Sequence, residues 1–356
     1  MKLKRRHSQA EVEYRWKAGE LWLERTHRSA GEWTAIGTAV EHATIACSLK
    51  PRKPSAQALR LAKTLSKTFD NVRLSRLVSE RTVHSKSKAS WGHDMTYLEI
   101  GQGGLRFSRL ERSDAITQLE KWAQKCLEFC ASPLAMTDIE AETLVLSAEA
   151  FGYLLHEAVG HRSESDDFTS PLKRNPTDLK PNFEVWDRAG TAELYGYTPV
   201  GDDGTPGTDV RLLGGRSSLL TKETGNLRAA SASFHPLIRQ RCLDVTTSKE
   251  VPPPKGNTIL IEEFKLSSFD GEFVILESAM QWLQLKSGAK KRLPSLRILL
   301  KPEDIFSWKA FGTKTTYHPS GGCQKGGQSQ LPVTFSSPQG WCPLESLHAI
   351  DCQDVP

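Results

Sequence analysis

The tightest constraint on this chain is the segment Phe151-Gly-Tyr-Leu-Leu-His156-Glu157-Ala-Val-Gly160-His161. It is an apolar run that carries two histidines and a glutamate, with no lysine or arginine among them. Imidazole is the commonest protein ligand for zinc, and a carboxylate beside a metal-held water can take its proton. Zinc-protease helices space their histidines four apart, one above the other on one face. Here the separation is five, which on an ideal helix turns the second ring by roughly 140°. Both rings reach one metal only if the helix ends or bulges before His161, and Gly160 is the residue that permits such a break. The other reading is two histidines on a partly buried helix end, and the spacing alone leaves both open.

Further motifs follow in order. Glu164 and Asp166 stand three and five residues after His161. Then come Asp202-Asp203-Gly204-Thr-Pro206, Gly225-Asn226-Leu-Arg228, Pro236-Leu-Ile-Arg239 and Gly271-Glu-Phe273. The series ends on Gly322-Cys323-Gln-Lys325-Gly-Gly327-Gln328 with Pro332-Val333 behind it. Together with His156-Glu-Ala-Val-Gly-His161, this series resembles the TldD/PmbA family, the "modulator of DNA gyrase" proteins, over roughly residues 140 to 335.

The resemblance implies a zinc metallopeptidase of the catalytic, TldD-like type. His156, His161 and Cys323 would hold the metal, and Glu157 would be the general base that activates a zinc-bound water. Two nitrogens and one thiolate leave a fourth tetrahedral position open, the pattern of a catalytic site. It also implies an α+β fold: a shortened α/β N-terminal region, a mostly antiparallel β C-terminal domain, and the metal between them. The substrate would be a short or unfolded peptide bound extended along a sheet edge. The partner would be a second copy or a TldE-like subunit.

Glu164 and Asp166 lie close enough to His161 to orient its imidazole through the second nitrogen, or they form a solvated acidic loop. Arg228 and Arg239 match basic positions of the family; they would hold the peptide or brace the β domain. His235 and His318 read as satisfied loop histidines. The sequence departs from the family pattern at Arg162 and Ser165, where the family has glycines, at Gln324 after the cysteine, and at Cys242.

Other readings weigh against this one. A non-catalytic peptide-binding or assembly subunit of a TldD/TldE-like complex would not need Glu157. Direct nucleic-acid binding would rest on charge, and +5 spread over 356 residues forms no basic stripe interleaved with aromatics. No nucleic-acid partner is indicated. No stretch approaches 18 apolar residues, so no membrane helix is expected. The basic start Met1-Lys-Leu-Lys-Arg-Arg-His7 has no apolar core behind it, so no signal peptide is read there, and the cytoplasm is the expected compartment. The seven cysteines, scattered and odd in number, fit that compartment.

Taken in order, Tyr14-Arg-Trp16 and Leu21-Trp-Leu23 alternate like strands around a hairpin near Lys17-Ala-Gly19. Ser55 caps a helix through Leu59, Leu65 and Phe69. Residues 81 to 95 read as a polar loop, and Thr96–Ile100 as a short strand. Ser113 caps an amphipathic helix whose face includes Ile116, Leu119, Trp122, Cys126 and Cys130, the cysteines being core residues. The Pro133–Glu142 linker divides a domain 1–135 from a domain 136–356. Thr143–Leu146 is a buried strand, and Ser147 caps the motif helix. Beyond it, short apolar runs at 210–213, 258–261, 273–276 and 296–300 between turn residues predict the antiparallel β domain.

Overall fold

The alternation at Tyr14 and Trp16 plays out as one long hairpin. Strand β1 (Lys2–Lys17) pairs with β2 (Glu20–Ile36) through a turn in which Ala18 and Gly19 take φ 49° and 84°. Glycine adopts that left-handed backbone without steric cost. β3 (Ala39–Thr44) adds to β2, and helix α1 (Ala56–Leu65) follows. β4 (Asn71–His84), β5 (Lys88–Gln102) and β6 (Leu105–Arg112) complete an antiparallel sheet in the order β3-β2-β1-β4-β5-β6. The computed structural model describes residues 2–36, 39–84, 88–135, 140–164, 181–214, 226–229, 237–270, 273–319, 323–325 and 328–352.

Two local expectations are corrected. Residues 81–84 and 88–95 are not a loop but the far halves of β4 and β5, paired out to His84↔Lys88. The ladder satisfies the backbone, and Val83, Trp91 and Met95 supply a buried face sparse enough to be hidden by their polar neighbours. Helix α2 (Ile116–Ala131) starts after Ala115, and Ser113 does not cap it. The Ser113 hydroxyl instead donates to Asp94 at 2.7 Å and bonds Thr96 at 3.1 Å. Ser55 does cap α1, accepting from the Ala58 N–H at 3.1 Å. Cys126 is fully buried in α2, and Cys130 is half-buried.

The rest of the described chain builds around β7 (Thr143–Leu146) and helix α3 (Ala148–Leu155). Strands β8 (Phe183–Arg188) and β9 (Val210–Leu213) are followed by the short pair β10 (Asn226–Arg228) and β11 (Leu237–Arg239). Then come β12 (Cys242–Thr247), β13 (Thr258–Asp270), β14 (Phe273–Gln284), β15 (Lys290–Arg292) and β16 (Leu296–Leu300). β17 (Lys309–Tyr317), the small pair β18 (Cys323–Lys325) and β19 (Gln328–Leu331), β20 (Thr334–Pro343) and β21 (Ala349–Cys352) end it.

Eleven of these strands form one sheet, ordered β21-β16-β14-β13-β7-β20-β12-β8-β9, with β15 beside β14 and β17 beside β20. Its pairs are antiparallel except β7–β13 and β12–β20. The expected α+β architecture with a mostly antiparallel β part is what the chain adopts.

β7 explains where the site sits. Leu144 and Leu146 face one core with Phe151, Leu154 and Leu155 of α3, while Val145 faces the other with Trp122 and Phe129 of α2. A strand covered on both faces reads as a continuous apolar run. Ser147 caps α3 as expected, accepting from the Ala150 N–H at 3.1 Å and donating to the Glu262 carbonyl at 2.8 Å. The motif helix is thereby fixed at its start to the centre of the large sheet. The expected boundary at 135/136 adjoins residues 136–139, outside the described ones. Among the described residues no helix is long and apolar enough to cross a membrane.

Candidate metal centre

Helix α3 does not simply stop at the motif. It passes into one π-helical turn, His156–Gly160, in which the His161 N–H bonds the His156 carbonyl. That i→i+5 bond brings residues five apart onto one face, which resolves the spacing of the two histidines. Their ring centroids lie 4.6 Å apart. Gly160 has φ −62°, an ordinary helical value, so backbone freedom is not its contribution. A Cβ there would fall 1.7 Å from the Gln240 Oε1, and Gln240 donates from Nε2 to the His156 carbonyl at 3.2 Å. Glycine makes room for the brace on the turn.

Strand β18 brings Cys323 to the pair. One donor atom from each of His156, His161 and Cys323 lies within 4.8 Å of the others, and Cys323 Sγ is 3.4 Å from His161 Nε2. Neighbouring ligands on a tetrahedral zinc with ordinary bond lengths sit about 3.5 Å apart. All three residues are buried, and His156 Nδ1 has no hydrogen-bond partner. A buried ring nitrogen without a partner is costly unless something else occupies it. Two imidazoles and a sulfur are also the donors zinc takes. The residues fit the metal.

Glu157 is buried beside them, its Oε2 3.8 Å from His161 Nε2. Its other oxygen accepts from the Ser267 hydroxyl at 2.9 Å. Burial pushes the Glu157 carboxyl up, against the pull of His161 and Ser267. Burial, reinforced by His161, holds the His156 imidazole well below its ordinary range, in the neutral form that binds metal. Burial opposes charge on His161 too, but Cys323 and Glu164 outweigh it and hold that ring well up in the metal-free protein.

Glu164 is buried, with Oε2 3.3 Å from His161 Nδ1, which is the orienting arrangement rather than a solvated loop. Asp166, Ser165 and His235 lie outside the described residues. Arg239 is fully buried and donates to Glu164 at 2.8 Å. Arg228 is buried and donates to the carbonyls of Gln240 and Pro332, the latter at 2.6 Å. Both arginines are buried, and Arg239 Nε and Nη2 make no hydrogen bond among the described residues. His318 is buried and bonds Thr334 at 3.3 Å, apart from the His–His–Cys group. Arg162 and Cys242, which depart from the family pattern, are both buried.

Sequence reasoning did not single out Ser267, Tyr153 or Gln240. Only Tyr153 left a trace, its place four residues before Glu157. Ser267 is brought in by the sheet, and nothing local marks it.

Fold and site together define an α+β chain with a buried His–His–Cys group and an adjacent glutamate. Solved structures share that fold. TldE from Thermococcus kodakarensis superposes with a TM-score of 0.68 at 12% identity, covering 96% of this chain and 95% of that one. A Thermotoga maritima protein described as a modulator of a DNA gyrase gives 0.62 at 10% identity, covering 98% and 96%. The metalloprotease slr0863 of Synechocystis is 23% identical over 254 residues, 63% of this chain and 54% of its own length. The chain thus spans about half the length of that relative. No protein-family model matches the sequence. The chain has the fold of the TldD/PmbA proteins, the family its motifs resemble.

Proposed function

We propose that this protein is a zinc-dependent peptidase acting on short or unfolded peptides. The observation that carries the reading is the convergence of His156, His161 and Cys323 within 4.8 Å, with Glu157 Oε2 3.8 Å from one of those rings. The likeness to a relative named a metalloprotease supports it. His156, His161 and Cys323 would hold the metal, which when bound supplies Lewis-acid chemistry, polarising a carbonyl and acidifying water.

The protein's own residues do the rest. Glu157 Oε2 takes the proton of the attacking water and delivers it to the leaving amine. Glu164 keeps the His161 ring in the orientation and tautomer that present Nε2 to the cluster. The peptide would lie extended, and the active assembly would be a dimer with a second copy or a TldE-like subunit. The fold shared with TldE favours a second reading, a non-catalytic assembly or peptide-binding subunit of such a complex. A binding role gives no use to a buried glutamate next to the ligands.

Metal content and peptide cleavage together decide. Purified protein should contain about one zinc per chain, and Cys323 should alkylate only after a chelator is added. Glu157→Gln should retain the zinc and lose about 10³-fold or more in kcat. Metal-free wild-type protein that still cleaves peptide would refute the mechanism. Zinc-loaded protein that cleaves no unstructured peptide points to the assembly subunit.

A further inference from the structure

Glu157 is held at Oε1, the oxygen other than the one near His161 Nε2, by a chain of two hydroxyls. Ser267 Oγ lies 2.9 Å from Glu157 Oε1, and the Tyr153 hydroxyl lies 2.9 Å from Ser267 Oγ. The direction of both bonds follows from elementary bookkeeping of hydrogens. Ser267 has one hydrogen, and it goes to Glu157. The Tyr153–Ser267 bond is then supplied by the phenol. Burial pushes the phenol's ionisation well up, so that hydrogen stays in place.

The fold goes out of its way to assemble this chain. Tyr153 stands in α3 and Glu157, four residues on, in the π turn that continues it, and both reach Ser267. Ser267 arrives from β13 through an irregularity. Phe264 packs on the Tyr153 ring at a centroid distance of 5.8 Å, so it faces α3. In a regular strand a residue three further on faces away. The pairing of β13 with β14 shifts register between Phe264 and Leu266, and the shift turns Ser267 back toward the helix.

We propose that Tyr153 and Ser267 are positioning residues that pin Glu157 Oε1 and thereby leave Oε2 as the oxygen that exchanges protons at the cluster. The inference rests on the peptidase reading for its consequence, and on the hydroxyl chain for its existence. A serine that merely fills a space would serve equally well as alanine.

The test is a double-mutant cycle on the zinc-loaded protein. Ser267→Ala should lower kcat about 10- to 100-fold with KM within about twofold and zinc content unchanged. Tyr153→Phe should lower kcat less, by about 3- to 10-fold, and should add almost nothing on top of Ser267→Ala, because it acts through that serine. Ser267→Thr, which keeps the hydroxyl, should recover most of the rate. Effects that multiply independently, that fall on KM, or that Thr fails to rescue overturn the relay.

The same cycle in urea, on metal-free protein, needs no activity. The shift in unfolding midpoint from Tyr153→Phe should shrink toward zero once residue 267 is Ala. Independent shifts overturn the proposal. Coupled shifts in a protein that cleaves nothing would sustain the relay and refute the peptidase reading.

Discussion

The ladder β4–β5 and the ladder β13–β14 are built from similar hairpins and differ in one respect. β4 and β5 pair residue for residue from Asn71↔Gly101 to His84↔Lys88 without a shift. β13 and β14 shift register at three places between Ile261 and Leu266. The helices repeat the contrast. α2 is one α-helix of 16 residues, whereas α3 gives way after 8 residues to a π turn. The irregular strand and the irregular helix meet at Glu157. Regular elements present side chains at fixed intervals, and the His–His–Cys–Glu group needs intervals that neither period supplies. Breaks in regularity cost hydrogen bonds and packing, and where two of them serve one side chain, geometry outranks stability.

Glycine-to-alanine exchanges in the two regions should differ most. Gly160→Ala would set its methyl against buried Gln240, which braces the π turn. We expect a loss of about 1–3 kcal/mol in unfolding free energy and roughly 10- to 100-fold weaker zinc binding in a chelator competition. Gly101→Ala in β5 meets nothing closer than 3.4 Å, the Leu105 carbonyl oxygen, and should change stability by less than about 0.5 kcal/mol. Equal effects at the two positions would show that the turn has no special packing requirement.

The next contrast is one of pH. Glu263 stands at the register shift of β13, and its carboxyl is pushed up to about 7, first by burial and then by Glu149, against the Trp122 hydrogen bond and Arg109. A raised carboxyl keeps its proton in the folded state after the unfolded chain has lost it. The stabilising effect of that proton is therefore complete below pH 4.5 and is lost as pH rises toward about 7. Glu263 is only partly buried, so solvent reduces the effect to about 1–2 kcal/mol. Glu263→Gln should raise stability at pH 8 by that amount and leave it unchanged at pH 4, measured by urea unfolding at both values. A gain that is the same at both pH values would contradict the assignment.

How much of this was legible in the sequence follows the same division. The pairing of His156 with His161, the need for a break before His161 and the capping role of Ser147 are local, and the sequence carries them. So is β7, whose unbroken apolar run follows from cover on both faces. The reason for Gly160 was not local: it lies in Gln240, eighty residues downstream, as the glycine's ordinary φ shows. Ser267 was hidden because its direction depends on a register shift that pairing with β14 creates. The burial of Arg239 against Glu164 is a tertiary fact that no local pattern carries. The far halves of β4 and β5 were missed for another reason. A half-buried strand needs few apolar residues, and His84, Lys88 and Ser90 mask the alternation around them.

The smallest effect sharpens the comparison most cleanly, because the two sites share one capping bond. Ser55 and Ser147 each cap a helix by accepting a backbone N–H at 3.1 Å. Replacing either by alanine should cost about 1 kcal/mol of stability, the usual worth of such a cap. Ser55 starts α1, which packs on β4 and α2, and its loss should leave zinc affinity unchanged. Ser147 starts the helix that ends in His156, and its hydroxyl also ties that helix to β13 through the Glu262 carbonyl. Ser147→Ala should therefore lose a few-fold in zinc affinity besides its share of stability, since the turn that sets the two imidazoles is entered from a looser helix. Both variants can be read in one pair of measurements, urea midpoint and chelator competition. If Ser55→Ala weakens zinc as much as Ser147→Ala, the metal centre senses global stability alone, and the idea that α3 transmits its anchoring to the ligands is wrong.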